Sequence, residues 1–398
     1  MGSAKDSTLQ QQPAPRSLRE LIDRVTGRQS PGSLPAIESG LADTPAFPFL
    51  ALVGQREMKL ALVLSLINPA IGGVLLIGPR GTGKTTAVRS LIELLPQIQR
   101  SLCPNGYGCT VEDIEQGGLD AVCPECAGRY GRGEPLERLG RVQLLELPLN
   151  AGLNEVVGGW DEPGESSYRY RVRRGVLAQA DRNLLYIDEV NLLSNAIVDA
   201  VLDAAAQGRY TVRRGPISAT YHARFVLIGS MNPEEGQLRS QILDRFGLRL
   251  LVPGLTGPVQ RLEAYQRVHL YQASPEGMAA AYQSETGQAR AEIEAARDML
   301  PSVELPEDIA RQGLALIEKL GIDSLRAEIT LFEACRALAA AEGRAEVLAA
   351  DLREIAPLAL RLRRSAFMAD YFARQHTEGE EIALALNGLV STPQEDPL

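Results

Sequence analysis

The sequence predicts an α/β protein: a parallel sheet with helices on both faces, followed by an all-helical region. Three observations predict it. Short apolar runs at 74–77, 184–187 and 225–229 alternate with segments of helical periodicity, and strands covered on both faces read as such unbroken runs. The run at 74 breaks into the glycine-rich loop Gly78-Pro79-Arg80-Gly81-Thr82-Gly83-Lys84-Thr85, with Thr86 opening a helical stretch to 95. Beyond Pro253 the strand patterns stop and amphipathic helical patterns take over.

In chain order, residues 1–45 are rich in Gln, Pro, Ser and Gly and read as a flexible polar tail, with a short helix at 18–25. A core spans 46–255. It opens with helical periodicity at 55–67 and enters the strand and loop of 74–85. A cysteine-bearing insertion at 103–135 interrupts it, and strand pattern resumes at 142–147. The strand at 184–187 ends in Asp188-Glu189, and a helix is expected at 195–207. A hairpin is expected from 210–213 and 217–221, and the strand at 225–229 leads to Met231-Asn232-Pro233. Residues 256–300 read as a polar helical connector. Residues 301–398 read as a separate helical domain and tail, with helices at 308–320, 325–342 and 348–364.

The chain has 398 residues and a net charge of −9, with a pI of about 5.2. That balance argues against general affinity for nucleic acid. The run Tyr168, Arg169, Tyr170, Arg171, Arg173, Arg174 interleaves aromatic and basic side chains; an exposed hairpin strand reads the same way, and the acidic whole favours that reading. No apolar run approaches membrane-span length, and the N-terminus lacks an apolar signal core, so the expected compartment is the cytoplasm.

The loop at 78–85 fits G-x-x-x-x-G-K-[ST] in the strand–loop–helix setting the pattern requires. Glycines let backbone N–H groups converge on a polyphosphate, and the helix directs its positive end at the same anion. Lys84 is placed to reach the β- and γ-phosphates of ATP, and Thr85 to offer its hydroxyl to Mg²⁺. Asp188 would hold the Mg²⁺ shell and Glu189 would polarise the attacking water, because carboxylates at one strand end put metal and nucleophile side by side. Asn232, at the end of the third strand, is placed to position that water; a turn residue before Pro233 is the plainer alternative. Arg245 suits an arginine finger supplied to a neighbouring subunit, the alternative being an ion pair with Asp244 or surface carboxylates.

Cys103, Cys109, Cys123 and Cys126 stand among Gly and Pro with little apolar matter. Four thiolates suit a tetrahedral Zn²⁺, and a segment without a core gains most from a metal staple. Redox-active thiols and thiols without a role are the alternatives. Cys335 falls on the apolar face of a helical pattern and reads as core.

The strings FPFLALVGQREMKLAL, NPAIGGVLLIGPRGTGKTTAVRSL, RRGVLAQADRNLLYIDEVNLL, GSMNPEEGQLRSQILDRFGL and SLRAEITLFEACRALAAAEGR closely resemble the small AAA+ ATPase subunit of magnesium chelatase. The similarity runs from about 47 to 364, leaving out 103–135. It implies a P-loop AAA+ core with hairpin insertions near 155–174 and 210–221, plus an all-α lid. Arg326, in SLRAEI, matches the lid's sensor arginine, which in a displaced lid would serve a neighbour's nucleotide. The resemblance also implies a homo-hexameric ring, a related AAA+ partner subunit with an integrin-like domain, and a large porphyrin-binding subunit that inserts Mg²⁺. A MoxR-like remodelling chaperone acting with an integrin-domain partner is the alternative, and a nucleic-acid motor a more distant one. Asn183 and Met231 depart from the family's small residues at those positions, and the cysteine cluster and the piece at 365–388 are not part of its pattern.

Overall fold

The computed structural model describes residues 17–20, 22, 44–104, 108–161, 171–214, 217–236 and 238–364. The expected C-terminal tail and the stretch carrying Tyr168, Arg169 and Tyr170 lie outside them, as does the side chain of Trp160.

Five parallel strands, β1 (Val74–Ile77), β2 (Leu144–Glu146), β3 (Leu184–Ile187), β4 (Val226–Met231) and β5 (Leu248–Leu251), form one sheet in the order 5-1-4-3-2. Register aligns Val74 with Ile228 and Leu248, and Leu185 with Leu227. Successive strand residues alternate between two cores. Val74, Leu76, Leu184, Tyr186, Ile228 and Leu248 face one, while Leu75, Ile77, Leu185, Ile187 and Leu227 face the other. That alternation is the period-2 geometry of a strand, and coverage on both faces explains the unbroken apolar runs.

β5 has no counterpart in the sequence reading, because Arg249 interrupts its run. The arginine is nonetheless 1% exposed. It donates to the Leu362 carbonyl at 2.6 Å and lies 3.5 Å from Asp244. The helix expected at 86–95 starts two residues earlier, as Lys84–Ser90, and tightens into a 3₁₀ turn at Leu91–Leu94.

The helical region after β5 packs directly on the sheet domain. Its helix Leu325–Ala341 lies on Arg56–Ile67 and the turn Pro69–Ile71, so Ala334, Cys335 and Leu338 join the same core as Leu62 and Leu66. Asn68 donates to the Glu333 carboxylate at 2.7 Å, and the buried Arg363 donates to the carbonyls of Phe246 and Gly247 at 3.2 and 2.9 Å. Within the stretch expected to be a tail, Leu18 and Ile22 are buried in this core, and Arg19 pairs with Glu342 and Glu354.

The cysteine insertion also departs from expectation. An antiparallel ribbon, Ile98–Ser101 against Glu137–Gly140, closes its base, and it contains the helices Val111–Gly117 and Pro124–Gly131. It has a small core of its own, in which Val122 and Leu136 pack with Cys109, Cys123 and Cys126. The two expected hairpins form. Gly158–Asp161 pairs with Arg171–Arg174, and Arg209–Arg214 pairs with Ile217–His222. Among the described residues no helix is long and apolar enough to cross a membrane.

Candidate active site

The loop leaves β1 at Gly78, where an added Cβ would lie 2.2 Å from the Val252 carbonyl oxygen. Only glycine lets the chain turn this close to the end of β5. Gly83 takes φ +85° and caps the helix that starts at Lys84, a left-handed conformation that other residues resist. Lys84 is 9% exposed and its Nζ donates to the Gly78 and Pro79 carbonyls at 2.7 and 2.8 Å. Burial pulls its ammonium below the usual range, against the attraction of Asp188, Glu189 and Glu235.

The end of β3 stands beside this loop. Thr85 Oγ1 lies 3.1 Å from the Tyr186 hydroxyl, which donates to Asp188 Oδ1 at 2.8 Å. Ser230, at the end of β4, donates to the same carboxylate oxygen and accepts from the Glu189 backbone N–H at 3.0 Å. Burial raises the Tyr186 phenol, so it stays protonated at neutral pH and serves as a donor. Glu189 sits at φ +53°, unusual for a residue with a side chain. Its carboxylate lies 3.2 Å from Arg80 Nη2, which also meets Glu235 at 2.5 Å. Tyr186, Ser230 and Glu235 had no motif to announce them; an alcohol two residues before Asn232 and a phenol two before Asp188 were the available signals.

Asn232 is buried at the β4 terminus, and its Oδ1 accepts from Glu234 N at 3.2 Å. This bond caps the turn at Pro233–Glu235 through Oδ1 alone. Asn183 holds the start of β3. Its Oδ1 accepts from Gln143 N, and its Nδ2 donates to the Gln179 and Asp181 carbonyls. A glycine there would lose all three bonds.

A cavity of about 550 Å³ opens on the loop. Pro79, Gly81, Thr82 and Gly83 form its polar end, while Val53, Met58, Leu255 and Val268 line its apolar side. An apolar chamber leading to a loop of backbone N–H groups suits a flat base at one end and phosphates at the other. Helix Pro258–Ala273 of the connector supplies Arg261, Ala264, Arg267 and Val268. The residues lining it include none from the lid.

The two expected arginines lie elsewhere. Arg245 ends helix Ser240–Arg245 and its Nη1 meets Asp199 and Asp203 at 3.2 and 2.9 Å. Arg326, half exposed, lies 3.6 Å from Asp244. Asp244 also accepts from Ser324 at 2.9 Å and Arg363 at 3.0 Å. Helix Ser240–Arg245 therefore carries the ion pair of each arginine on adjacent residues.

In the insertion the sulfurs of Cys103, Cys109, Cys123 and Cys126 lie within 4.8 Å of one another, and the last three residues are buried. No disulfide joins them. Desolvation pushes the Cys109 thiol up to about 12 and raises Cys126 as well.

A parallel sheet, a phosphate-type loop after its first strand and paired carboxylates after its third define a P-loop nucleotide hydrolase. A family model of the AAA domain matches residues 72–235, and one of the AAA lid domain matches 314–383. The magnesium-chelatase 38 kDa subunit of Acidiphilium rubrum is 42% identical over 318 residues, 80% of this chain and 90% of that protein. The ChlI homolog of Methanocaldococcus jannaschii is 41% identical over 81% of this chain and 87% of its own length. A chain from the complex between subunits BchI and BchD of magnesium chelatase, based on single-particle cryo-EM, is 41% identical over 81% of this chain and 97% of that one, with a TM-score of 0.47. A Cytophaga hutchinsonii protein assigned as an ATPase, 16% identical, shares the fold at a TM-score of 0.51 over 87% of each chain. The chain belongs to the AAA+ ATPase subunit family of magnesium chelatase, and its activity is ATP hydrolysis with Mg²⁺.

Proposed function

We propose that this chain is the motor subunit of a magnesium-chelatase-type complex, and that its ATP hydrolysis drives a partner subunit to insert metal into a porphyrin. The reading rests on the relatives' names and on one structural observation. The loop and apolar walls line one cavity and Tyr186 joins Thr85 to Asp188 beside the loop, whereas Arg245 is held by Asp199 and Asp203 and Arg326 by Asp244. A site finished by neighbouring subunits is a site in which hydrolysis is tied to assembly.

Lys84 exchanges the Gly78 and Pro79 carbonyls for the β- and γ-phosphates. Thr85 Oγ1 and the Asp188 carboxylate are hard oxygen donors of the kind Mg²⁺ takes, and bound there the ion neutralises charge on the phosphates. Tyr186 and Ser230 orient Asp188. Glu189, released from Arg80, takes the proton side of the attacking water, and Asn232 positions that water against the γ-phosphate. The backbone of Gly78, Pro79, Arg80, Gly81, Thr82 and Gly83, with Thr86 behind it, cradles the phosphates. Arg245 and Arg326 act on the nucleotide of adjacent subunits in a homo-hexameric ring. The ring works with a related AAA+ subunit bearing an integrin-like domain and with a large porphyrin-binding subunit. The four-cysteine insertion takes no part in this chemistry, and we read it as a structural Zn²⁺ site.

Affinity isolation of a Glu189→Gln trap with ATP from its native cells tests the assignment. Recovery of both an integrin-domain AAA+ subunit and a porphyrin-binding subunit is expected. An integrin-domain partner recovered without any porphyrin-binding protein would replace this reading with a MoxR-like remodelling chaperone.

A further inference from the structure

The four cysteines sit in an insertion that touches the core at more than its base, and the contacts converge on one element. Thr110 and Asp113 form a reciprocal cap at the start of helix Val111–Gly117: Thr110 Oγ1 accepts from Asp113 N, and Asp113 Oδ2 accepts from Thr110 N. The same Asp113 oxygen receives Arg174 Nη2 at 2.8 Å, while Arg174 Nη1 donates to the Gly108 carbonyl at 2.7 Å. The Arg174 side chain is 14% exposed, and its guanidinium lies 5.1 Å above the ring of Tyr221. Beside Asp113 in the same first turn, Glu112 pairs with Arg182, Arg224 and His222 at 2.6, 3.1 and 3.4 Å. Tyr221 and His222 belong to the outgoing strand of the hairpin Arg209–His222, and Arg224 leads into β4.

The capped turn stands directly on the cysteines. Gly108 and Thr110 flank Cys109, and Ser101 Oγ donates to the Cys109 carbonyl at 2.6 Å. Sulfurs also accept from the backbone, Cys109 Sγ from Cys123 N at 3.3 Å and Cys123 Sγ from Cys126 N at 3.4 Å. A tetrahedron with Zn–S bonds of about 2.3 Å has sulfur edges of about 3.8 Å; Cys103 Sγ and Cys123 Sγ are 3.8 Å apart.

We propose that a Zn²⁺ held by Cys103, Cys109, Cys123 and Cys126 fixes the turn 108–113 as a strut, and that this strut sets the position of the hairpin Arg209–His222. The inference rests on the structural-zinc reading above and goes beyond it. The hairpin is followed by β4, whose far end carries Ser230 and Asn232 at the nucleotide site. A metal in the insertion thereby steadies the element that leads into the nucleotide site.

The test uses the full chain prepared without chelator. Metal analysis is expected to give about one zinc per chain, and Co²⁺ exchanged for it to show the absorption of a tetrahedral thiolate site. Amide hydrogen exchange is then compared for the wild type, for Cys103→Ser/Cys126→Ser, and for Arg174→Met, which keeps all four ligands. In both variants the amides of 209–222 are expected to exchange faster, on the order of tenfold, with those of 74–90 unchanged. Arg174→Met keeps its zinc. A chain without zinc or Co²⁺ uptake overturns the metal and the strut together. Zinc present, with hairpin exchange unchanged in Arg174→Met, overturns the strut and leaves the metal.

Discussion

Arg245 Nη1 lies 2.9 Å from Asp203 Oδ1, so the arginine expected to act on a neighbouring subunit is held by a helix of its own chain. Asp199, one turn earlier on helix Asn195–Gln207, meets the same nitrogen at 3.2 Å. Two carboxylates on one helix face hold a long side chain in one direction without burying it, since Arg245 remains 27% exposed. Exposed pairs contribute little stability, about 0–1 kcal/mol each; what they supply here is orientation. Asp199→Ala/Asp203→Ala is expected to keep ATP affinity and thermal stability while turnover falls about tenfold, the equivalent of about 1.4 kcal/mol of barrier. Steady-state ATPase assays with a nucleotide-binding titration check this, and unchanged or raised turnover contradicts it.

Tyr186 is the link between the loop and the metal-side carboxylate. Its hydroxyl meets both Thr85 and Asp188. Tyr186→Phe keeps the ring in the core and removes the link. With about 1 kcal/mol per hydrogen bond, the Mg²⁺ concentration for half-maximal ATPase should rise roughly fivefold. A Mg²⁺ titration that superimposes on the wild type would show the hydroxyl to be a packing group only.

Asp244 offers a test of how the lid is held. Arg363, whose side chain is fully buried, draws its counter-charge from Asp244, as do Arg326 and Arg249 at longer range. Asp244→Asn leaves buried guanidinium groups without a compensating anion. The expected cost is about 1–3 kcal/mol, below that of a fully buried pair because Asp244 is one-third exposed. Thermal unfolding should show a drop of a few degrees, and ring assembly should weaken with it. Arg363→Met, which removes the buried charge, should destabilise less than Asp244→Asn; the reverse order would show that the Arg363 hydrogen bonds to Phe246 and Gly247 outweigh the ion pair.

The insertion should respond to acid. The hydrogen bonds from Arg224 hold the Glu112 carboxyl below its usual 4.5, against partial burial and with help from Arg182 and His222. A carboxyl lowered in the folded state stabilises above its unfolded value, and that stability is lost as the pH falls through the folded one. Protection of 108–117 in hydrogen exchange is therefore expected to decline below about pH 4.5 in the wild type. Glu112→Gln should abolish this pH dependence.

Much of the sheet was legible because strands covered on both faces are written as unbroken apolar runs. β1, β3 and β4 were read this way. β5 is not written this way, because Arg249 breaks its run; that arginine is held by the Leu362 carbonyl, 113 residues away, and by Asp244, five residues away. The phosphate loop and the Asp188-Glu189 pair were local strings. The hydroxyls of Tyr186 and Ser230 were not legible, since their meeting at Asp188 depends on the register of β3 against β4. The cysteine spacing pointed to four ligands, but the strut through Arg174 and Glu112 joins residues some 60 to 110 positions apart, where no local pattern reaches.

The central claim is that each site is completed by a neighbour, and mixed assemblies test it most directly. Arg245→Ala chains keep their own loop and carboxylates; Glu189→Gln chains keep their arginine. Each alone is expected to bind ATP and turn over at least about 10³-fold more slowly than the wild type. ATPase activity measured on mixtures of the two, with co-assembly verified, should recover part of the wild-type rate because an intact Glu189 then meets an intact Arg245. Verified mixed assemblies that stay inactive at every ratio would contradict the account.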